Sequence, residues 1–286
     1  MSFFPKGPLR GRIPPLFGGT RQEVTVSHWL SLMKAQRRRR TLPTRGKKSY
    51  FFSDAHLGLG SKDEDRAKED RIVDFLHRIR TDAAHLFILG DLFDYWFEYK
   101  TVVPKGYARL FASLAELNRT GIGITYLAGN HDFWMKGYLA EEFNIEVFPD
   151  PIERIIGGKR FYLHHGDGLV KDDTGYRLLK RIFRNKFNIW LFSWVHPDIT
   201  AGIARWSSRT SRNYTSGRKY EATDMIDFAA RKITAGYDFV IMGHNHRSLC
   251  KKLGKGTYVN LGDWITENTY AVFDGKKLEL KKWNGR

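Results

Sequence analysis

Apolar residues in this chain gather in short runs of strand length: Tyr50 to Phe52, Leu86 to Leu89, Ile122 to Leu127, Phe161 to Leu163 and Phe239 to Met242. Between several of them the period changes. Ile72, Val73, Leu76 and Ile79 recur at helical spacing, as do Tyr107, Leu110, Phe111, Leu114 and Leu117, so each set makes one apolar stripe. Near-continuous apolar strands alternating with amphipathic helices predict an α/β fold, its mixed or parallel sheet buried under helices. No internal repeat is visible.

Polar residues follow each of the five runs directly. They read Ser53-Asp54-Ala55-His56, Gly90-Asp91, Gly129-Asn130-His131-Asp132, His164-His165-Gly166-Asp167 and Gly243-His244-Asn245-His246. Ligands of open α/β sheets bind beyond the carboxyl ends of the strands, so five such endings can meet at one crevice. Carboxylate, imidazole and amide oxygen together suit two divalent cations a few ångströms apart, with one anion between them to offset their repulsion. Asp54 and His56, two apart on an extended strand end, point the same way and can share a cation. Asp91 is the natural bridge. Asn130 adds a neutral oxygen, and His165, His244 and His246 add neutral imidazoles, leaving net positive charge for a phosphate. The cations would activate a water, so no protein nucleophile is required.

Charge refines this picture because it is regional. Residues 1–48 carry twelve Lys and Arg against the single acid Glu23, and residues 176–219 carry ten against Asp198 alone. The remainder, which holds the candidate ligands, is slightly acidic. Residues 1–47, rich in Pro, Gly and Arg without sustained periodicity, are expected to be a disordered basic tail, and residues 48–286 the folded domain. A single cysteine, Cys250, excludes an internal disulfide framework and favours a reducing, cytoplasmic setting. No run approaches the roughly 20 apolar residues a membrane span needs.

In order and spacing, Asp54-x-His56, Gly90-Asp91, Gly129-Asn130-His131-Asp132, His165-Gly166 and Gly243-His244-x-His246 resemble the metallophosphoesterase signature of calcineurin-like enzymes. The resemblance spans about Ser49 to Arg247. It implies a two-sheet sandwich flanked by helices. Asp54, His56, Asp91 and His246 would hold one metal, and Asp91, Asn130, His165 and His244 the other. Manganese is the expected metal, with iron or zinc as alternatives.

Gly90-Asp91-Leu92-Phe93-Asp94-Tyr95-Trp96, the run His165 to Leu169 followed by Asp172, Asp173 and Tyr176, and His244-Asn245-His246-Arg247 are similar to a narrower group. These are the UDP-2,3-diacylglucosamine pyrophosphatases of lipid A synthesis, which release UMP and 2,3-diacylglucosamine 1-phosphate. The resemblance implies an inserted helical lid at residues 176–219, with Asp173 and Tyr176 holding sugar or phosphates. Ser208, Ser211 and Lys219 are further substrate-binding candidates, and Asp172 and Asp173 read equally well as helix N-caps. His131 stands where typical enterobacterial members carry Arg. By the wider resemblance His131 and Asn130 are the catalytic candidates, His131 stabilising the phosphoryl group or protonating the leaving oxygen.

The lid interleaves Phe183, Phe187, Trp190, Phe192, Trp194 and Trp206 with Arg177, Lys180, Arg181, Arg184, Lys186 and Arg205. Such a composition fits acyl chains, a diphosphate and the anionic surface of the inner membrane, so peripheral membrane attachment is expected. His77, His85, His164 and His196 read as structural, His164 because alternation turns it from the site. Tyr258 to Trp283 reads as closing strands of the second sheet. Two other functions stay open: a phosphodiesterase of nucleotides or nucleic acid, and a non-catalytic binding module. Nucleic acid is the weaker partner, and no obligate protein partner is evident.

Overall fold

The computed structural model of the chain describes residues 39–42, 44, 46–135, 137–169, 181–203 and 220–285. The apolar runs become strands β2 (Lys48–Phe52), β3 (Ala83–Ile88) and β4 (Gly123–Leu127), which pair in parallel. With β5 (Glu146–Phe148) beside β4, and β11 (Thr269–Phe273) and β12 (Leu278–Lys282) beyond β2, they make one sheet in the order β12-β11-β2-β3-β4-β5. A second sheet runs β1 (Arg39–Leu42), β6 (Ile152–Ile156), β7 (Lys159–Leu163), β8 (Phe239–Met242), β10 (Gly256–Leu261) and β9 (Ser248–Leu253). The expected α/β two-sheet sandwich flanked by helices is therefore what forms.

Side-chain alternation sorts the residues into layers. Phe51, Phe87 and Phe161 turn inward between the sheets, where Phe51 stacks on Phe87 at 4.8 Å and on Phe161 at 5.9 Å. Tyr50, Phe52, Leu86 and Ile88 turn outward under helices α1 (Lys62–Ile79) and α2 (Ala108–Arg119), meeting Ile72, Phe75, Leu76, Leu110 and Leu114. On the opposite side Met225, Ala229 and Ile233 of α5 (Tyr220–Thr234) cover Tyr162, Val240 and Met242. Of two shorter helices, α3 (Tyr138–Phe143) packs against α2 and β5, and α4 (Lys186–Phe192) lies in the lid segment. Each fully buried large apolar side chain contributes about 1.5–3 kcal/mol.

Helix α1 begins where it does because Ser61 and Glu64 form a capping box. The Ser61 hydroxyl accepts from the Glu64 amide at 3.3 Å, and the Ser61 amide donates to the Glu64 carboxylate at 2.7 Å. Asp63, Glu64 and Asp65 then place negative charge at the helix's positive end.

Two expectations need correction. The tail does not run unbroken to residue 47, because Arg39–Leu42 pair in parallel with β6 as β1. Leu42 is buried in the inter-sheet core, and Arg40 forms a 2.8 Å ion pair with Glu146 of the other sheet. Residues 1–38 lie outside the described residues. The closing strands also divide: β10 joins the second sheet, whereas β11 and β12 complete the first. The chain crosses at Asp263, whose carboxylate accepts from the amides of Ile265, Thr266 and Glu267 and so bends the backbone between sheets.

Of the lid, residues 181–203 are described. Helix α4 is capped by Asn185, whose side chain accepts from the Phe187 amide at 2.9 Å, and residues 197–203 are helical. Phe192 packs on Phe97 and Trp134, and the buried Thr200 hydroxyl meets the hydroxyls of Tyr95 and Tyr99 at 3.1 and 2.5 Å.

Candidate metal centre

All five polar strand endings meet at one edge of the sandwich. Three come from the first sheet (after β2, β3 and β4) and two from the second (after β7 and β8), so the centre straddles the seam. Backbone bonds tie the loops together: Asp54 N to Gly90 O at 3.1 Å, His56 N to Asp91 O at 2.9 Å and Gly243 N to His165 O at 2.7 Å. Asp54, His56, Asp91, His244 and His246 all have positive φ, between 45° and 74°. Left-handed backbone at non-glycine residues is uncommon and costs about 1–3 kcal/mol each, and it persists at functional sites where the surroundings enforce it.

The side chains form overlapping groups. Asp54, His56 and His246 present ligand atoms within 4.8 Å of one another, as do Asp91, His165 and His244. Asp91 joins the groups: its Oδ2 is 3.2 Å from His165 Nε2 and 3.7 Å from His56 Nε2. Asn130 Oδ1 lies 3.0 Å from His165 Nε2. The seven expected ligands are thus brought together, and each except Asn130, His244 and His246 is buried.

A pair of cations fits this arrangement on two observations. Asp54 Oδ1 is buried without a hydrogen-bond donor, facing His246 Nε2 at 3.5 Å and His56 Nε2 at 3.9 Å. Those two imidazole nitrogens face each other at 3.2 Å. A cation among them would satisfy all three lone pairs. The outer nitrogens are already engaged: His165 Nδ1 with Leu89 O at 2.7 Å, His56 Nδ1 with Asp94 Oδ1 at 3.2 Å, and His246 Nδ1 with Asp263 Oδ2 at 3.6 Å. Such partners fix the ring orientation and leave Nε2 for a metal.

The electrostatics point the same way. Burial pushes His56 and His246 below the usual histidine range, keeping them neutral. Burial lifts Asp54 above the usual carboxylate range, against the pull of His165 and His246. Burial also works against ionised Asp91, but His165 and His131 beside it hold it well below that range. For His165 burial lowers the value, yet Asp91 and Asp54 outweigh it and raise it to about 10. The field that holds that proton also attracts a divalent cation, whose binding would release it.

His131 also presents a ligand atom within 4.8 Å of those of His56 and Asp91, its ring centroid 4.8 Å from that of His56. Its amide donates to Asp91 Oδ1 at 2.9 Å, and its Nδ1 lies 3.1 Å from the Asp94 carbonyl, which directs Nε2 away. Asp132 pins this turn from behind, accepting from the Gly129 amide at 2.8 Å and from the buried Tyr126 hydroxyl.

Residues 47–248 match the family of calcineurin-like phosphoesterases. The chain belongs to that family. This phosphoesterase is 37% identical to a Porphyromonas gingivalis protein named UDP-2,3-diacylglucosamine hydrolase, over 82% of this chain and 97% of that one. It is 28% identical to a Yersinia pseudotuberculosis protein of the same name, over 80% and 96%. Among solved structures, an archaeal phosphodiesterase aligns with 82% of this chain and 98% of its own at 14% identity and a TM-score of 0.43. That likeness carries no argument about substrate. Membership makes this phosphoesterase a metal-dependent hydrolase.

The substrate candidates Asp173, Tyr176, Ser208, Ser211 and Lys219 lie outside the described residues. His164 takes the opposite face, as expected, its ring 5.9 Å from Phe228. Sequence reasoning missed Asp94 and Asp263 as partners of His56 and His246. The signal for Asp94 was its spacing, three residues after Asp91 in the same turn.

Proposed function

We propose that this phosphoesterase hydrolyses the diphosphate of UDP-2,3-diacylglucosamine, yielding UMP and 2,3-diacylglucosamine 1-phosphate. The observation that carries this reading is a cavity of about 380 Å³ between the catalytic edge and the lid, lined by Leu57, Asp94, Tyr95, Phe97, Val102, Val103, Tyr107, Pro197 and Ala201. It shares Asp94 with the metal-holding cluster, so an apolar chain seated there would bring its head group to the ligands. The named relatives support the same substrate. A groove for nucleic acid would need several cations beside its stacking faces, whereas this lining sets one cation, Lys105, against Asp94 and Asp198.

Asp54, His56, Asp91 and His246 would hold one cation, and Asp91, Asn130, His165 and His244 the other. Bound divalent cations supply charge that polarises a phosphoryl oxygen and acidifies water. Carboxylate, amide and imidazole donors accept Mn²⁺, iron and zinc alike; we take Mn²⁺, the metal that the family resemblance implies, with iron or zinc as alternatives. The chain itself does the rest. His131, held through Nδ1 by the Asp94 carbonyl, offers Nε2–H to a phosphoryl oxygen or hands its proton to the departing one. Asp94 keeps His56 and His131 in register, and Phe192 of the lid, packed on Phe97 and Trp134, excludes water.

The lid also supports attachment to the cytoplasmic face of an anionic membrane. Phe187, Trp190, Leu191 and Trp194 are each more than half exposed, Trp194 to 74%, and Phe187, Trp190 and Trp194 run in ring contact at 5.7 and 6.0 Å. Among the described residues no helix is long and apolar enough to cross a membrane, which fits a surface-bound protein.

The test is incubation of purified protein and Mn²⁺ with UDP-2,3-diacylglucosamine, reading UMP. Turnover of simple phosphodiesters or nucleotides without turnover of this lipid would overturn the assignment. Flotation with anionic vesicles checks the membrane reading, which predicts weaker binding by Trp194→Ser.

A further inference from the structure

The turn that presents His56 is gripped from outside by two groups that the proposed chemistry does not use. His56 is left-handed, and its carbonyl accepts a hydrogen bond from Lys68 Nζ at 2.8 Å. Lys68 belongs to helix α1 and is only 5% exposed. One residue on, the Leu57 carbonyl accepts from the Tyr107 hydroxyl at 3.1 Å, from the residue that opens α2. The hydroxyl closes tightly on the turn: a Cβ at Gly58 would fall 2.7 Å from it.

A lysine is an expensive choice here. Its long stem normally carries the ammonium out to water, and desolvation disfavours the charged form. In this position the ammonium points inward, supported by Asp65 Oδ1 at 3.3 Å, and ends on a backbone oxygen. Met or Leu would fill the same space at lower cost if packing were the only need. What the ammonium adds is a fixed, charge-assisted bond to the carbonyl of a residue whose backbone is in a disfavoured conformation.

We propose that Lys68 and Tyr107 are positioning residues that clamp the 56–58 turn, holding the His56 imidazole where it can take a divalent cation. The clamp rests on the reading of His56 as a metal ligand. Neither residue touches the metal, and Lys68 stands away from the substrate cavity, whereas the Tyr107 ring lines it. Their shared contribution is to metal affinity, through His56. Outer partners of metal-holding histidines typically contribute about 10–100-fold in affinity.

The experiment is calorimetric titration of Mn²⁺ into wild type, Lys68→Met, Lys68→Arg and Tyr107→Phe. Melting in EDTA reports the fold, and KM for UDP-2,3-diacylglucosamine is taken at saturating Mn²⁺. Lys68→Met is expected to bind Mn²⁺ about 10–100-fold more weakly, Tyr107→Phe more weakly by a smaller factor, and Lys68→Arg to recover part of the loss. KM at saturating Mn²⁺ stays at the wild-type value in the two Lys68 variants, whose side chain is outside the cavity lining. If Lys68→Met does not fold, Tyr107→Phe, which removes one oxygen and leaves the ring, decides. Folded variants that bind Mn²⁺ within about twofold of wild type overturn the clamp alone. A wild type that binds no Mn²⁺ overturns the ligand reading along with it.

Discussion

Replacing Gly129 by alanine should disable the centre while leaving the sandwich folded. An ideal Cβ at this position would lie 2.0 Å from Asp91 Oδ1 and 2.6 Å from the Asp91 amide nitrogen. Real Cβ contacts stay above 3.0 Å, so the carboxylate or the 129–132 turn must yield by roughly 1 Å. Asp91 has no free direction: Oδ1 accepts from the His131 amide, Oδ2 faces His165, and the residue is fully buried. Movement of the turn instead would carry Asn130 and His131 with it. A misplacement of about 1 Å costs on the order of 10²-fold in rate, equivalent to about 2.7 kcal/mol of transition-state stabilisation. The overpacking itself costs about 1–3 kcal/mol of stability, which a domain of this size survives. UMP release over a range of Mn²⁺ concentrations measures the first effect and thermal melting the second. Gly202→Ala is the control, because Gly202 is helical with nothing within 4 Å of an added Cβ, and it should be neutral or slightly stabilising. Gly129→Ala with kcat/KM within about threefold of wild type would refute the argument that Asp91 is confined.

Asp94→Asn keeps the shape but removes the charge that His56 and His131 share, so Mn²⁺ affinity should fall about 10–100-fold in calorimetric titration; unchanged affinity would remove Asp94 from the centre. Mn²⁺ at about 1,000 times its dissociation constant should stabilise the fold by about 4 kcal/mol, and EDTA should reverse the rise in melting temperature. No shift with any divalent cation would contradict the ligand set. His85 gives a pH dependence: burial, then Arg154 and Arg40, lower it to about 3 from an ordinary 6.5. The unfolded chain takes up this proton below pH 6.5 and the folded one does not, so stability present above pH 6.5 is lost as pH falls toward 3. The full effect is roughly 5 kcal/mol, at about 1.4 kcal/mol per pH unit. The stability difference between wild type and His85→Asn should shrink over that window in denaturant titrations, and a constant difference would show that His85 is not the group responsible.

The centre was more legible than the sheets because its signals are local. Each candidate ligand stands within four residues of an apolar run, so strand, turn and donor could be read from one short window. Strand β9 offers no such signal: Ser248–Leu253 lies at a sheet edge with most side chains in water, so its alternation is not enforced. Strand β1 hid in a basic segment because, among its described side chains, only Leu42 reaches the core. The allocation of β11 to the first sheet depends on pairing with β2 more than 200 residues earlier, which no window contains. Lys68 illustrates a signal present but unread. Within a run of charges it looks like part of a solvated face, yet it stands four residues before Ile72 on the apolar stripe, and that spacing places it inward.

Backbone conformation was the least legible feature, and it explains why the centre needs both sheets. Aspartate and histidine do not announce positive φ as glycine does, yet five of the seven candidate ligands adopt it. Such strain persists only where neighbouring loops leave no relaxed alternative. The glycines show how closely those loops interlock. A Cβ at Gly90, after β3, would meet Gly129 Cα and His165 Nδ1 each at 2.7 Å, and one at Gly243, after β8, would meet Asp54 Oδ2 at 2.2 Å. Two of these contacts cross from one sheet to the other. The strained conformers are therefore held by the register of the sandwich, which the stacked Phe51, Phe87 and Phe161 set in the core below. A change that slides one sheet over the other by a fraction of an ångström would relax the ligand loops before it unfolds the domain, so activity should be the more sensitive reporter of damage to the core.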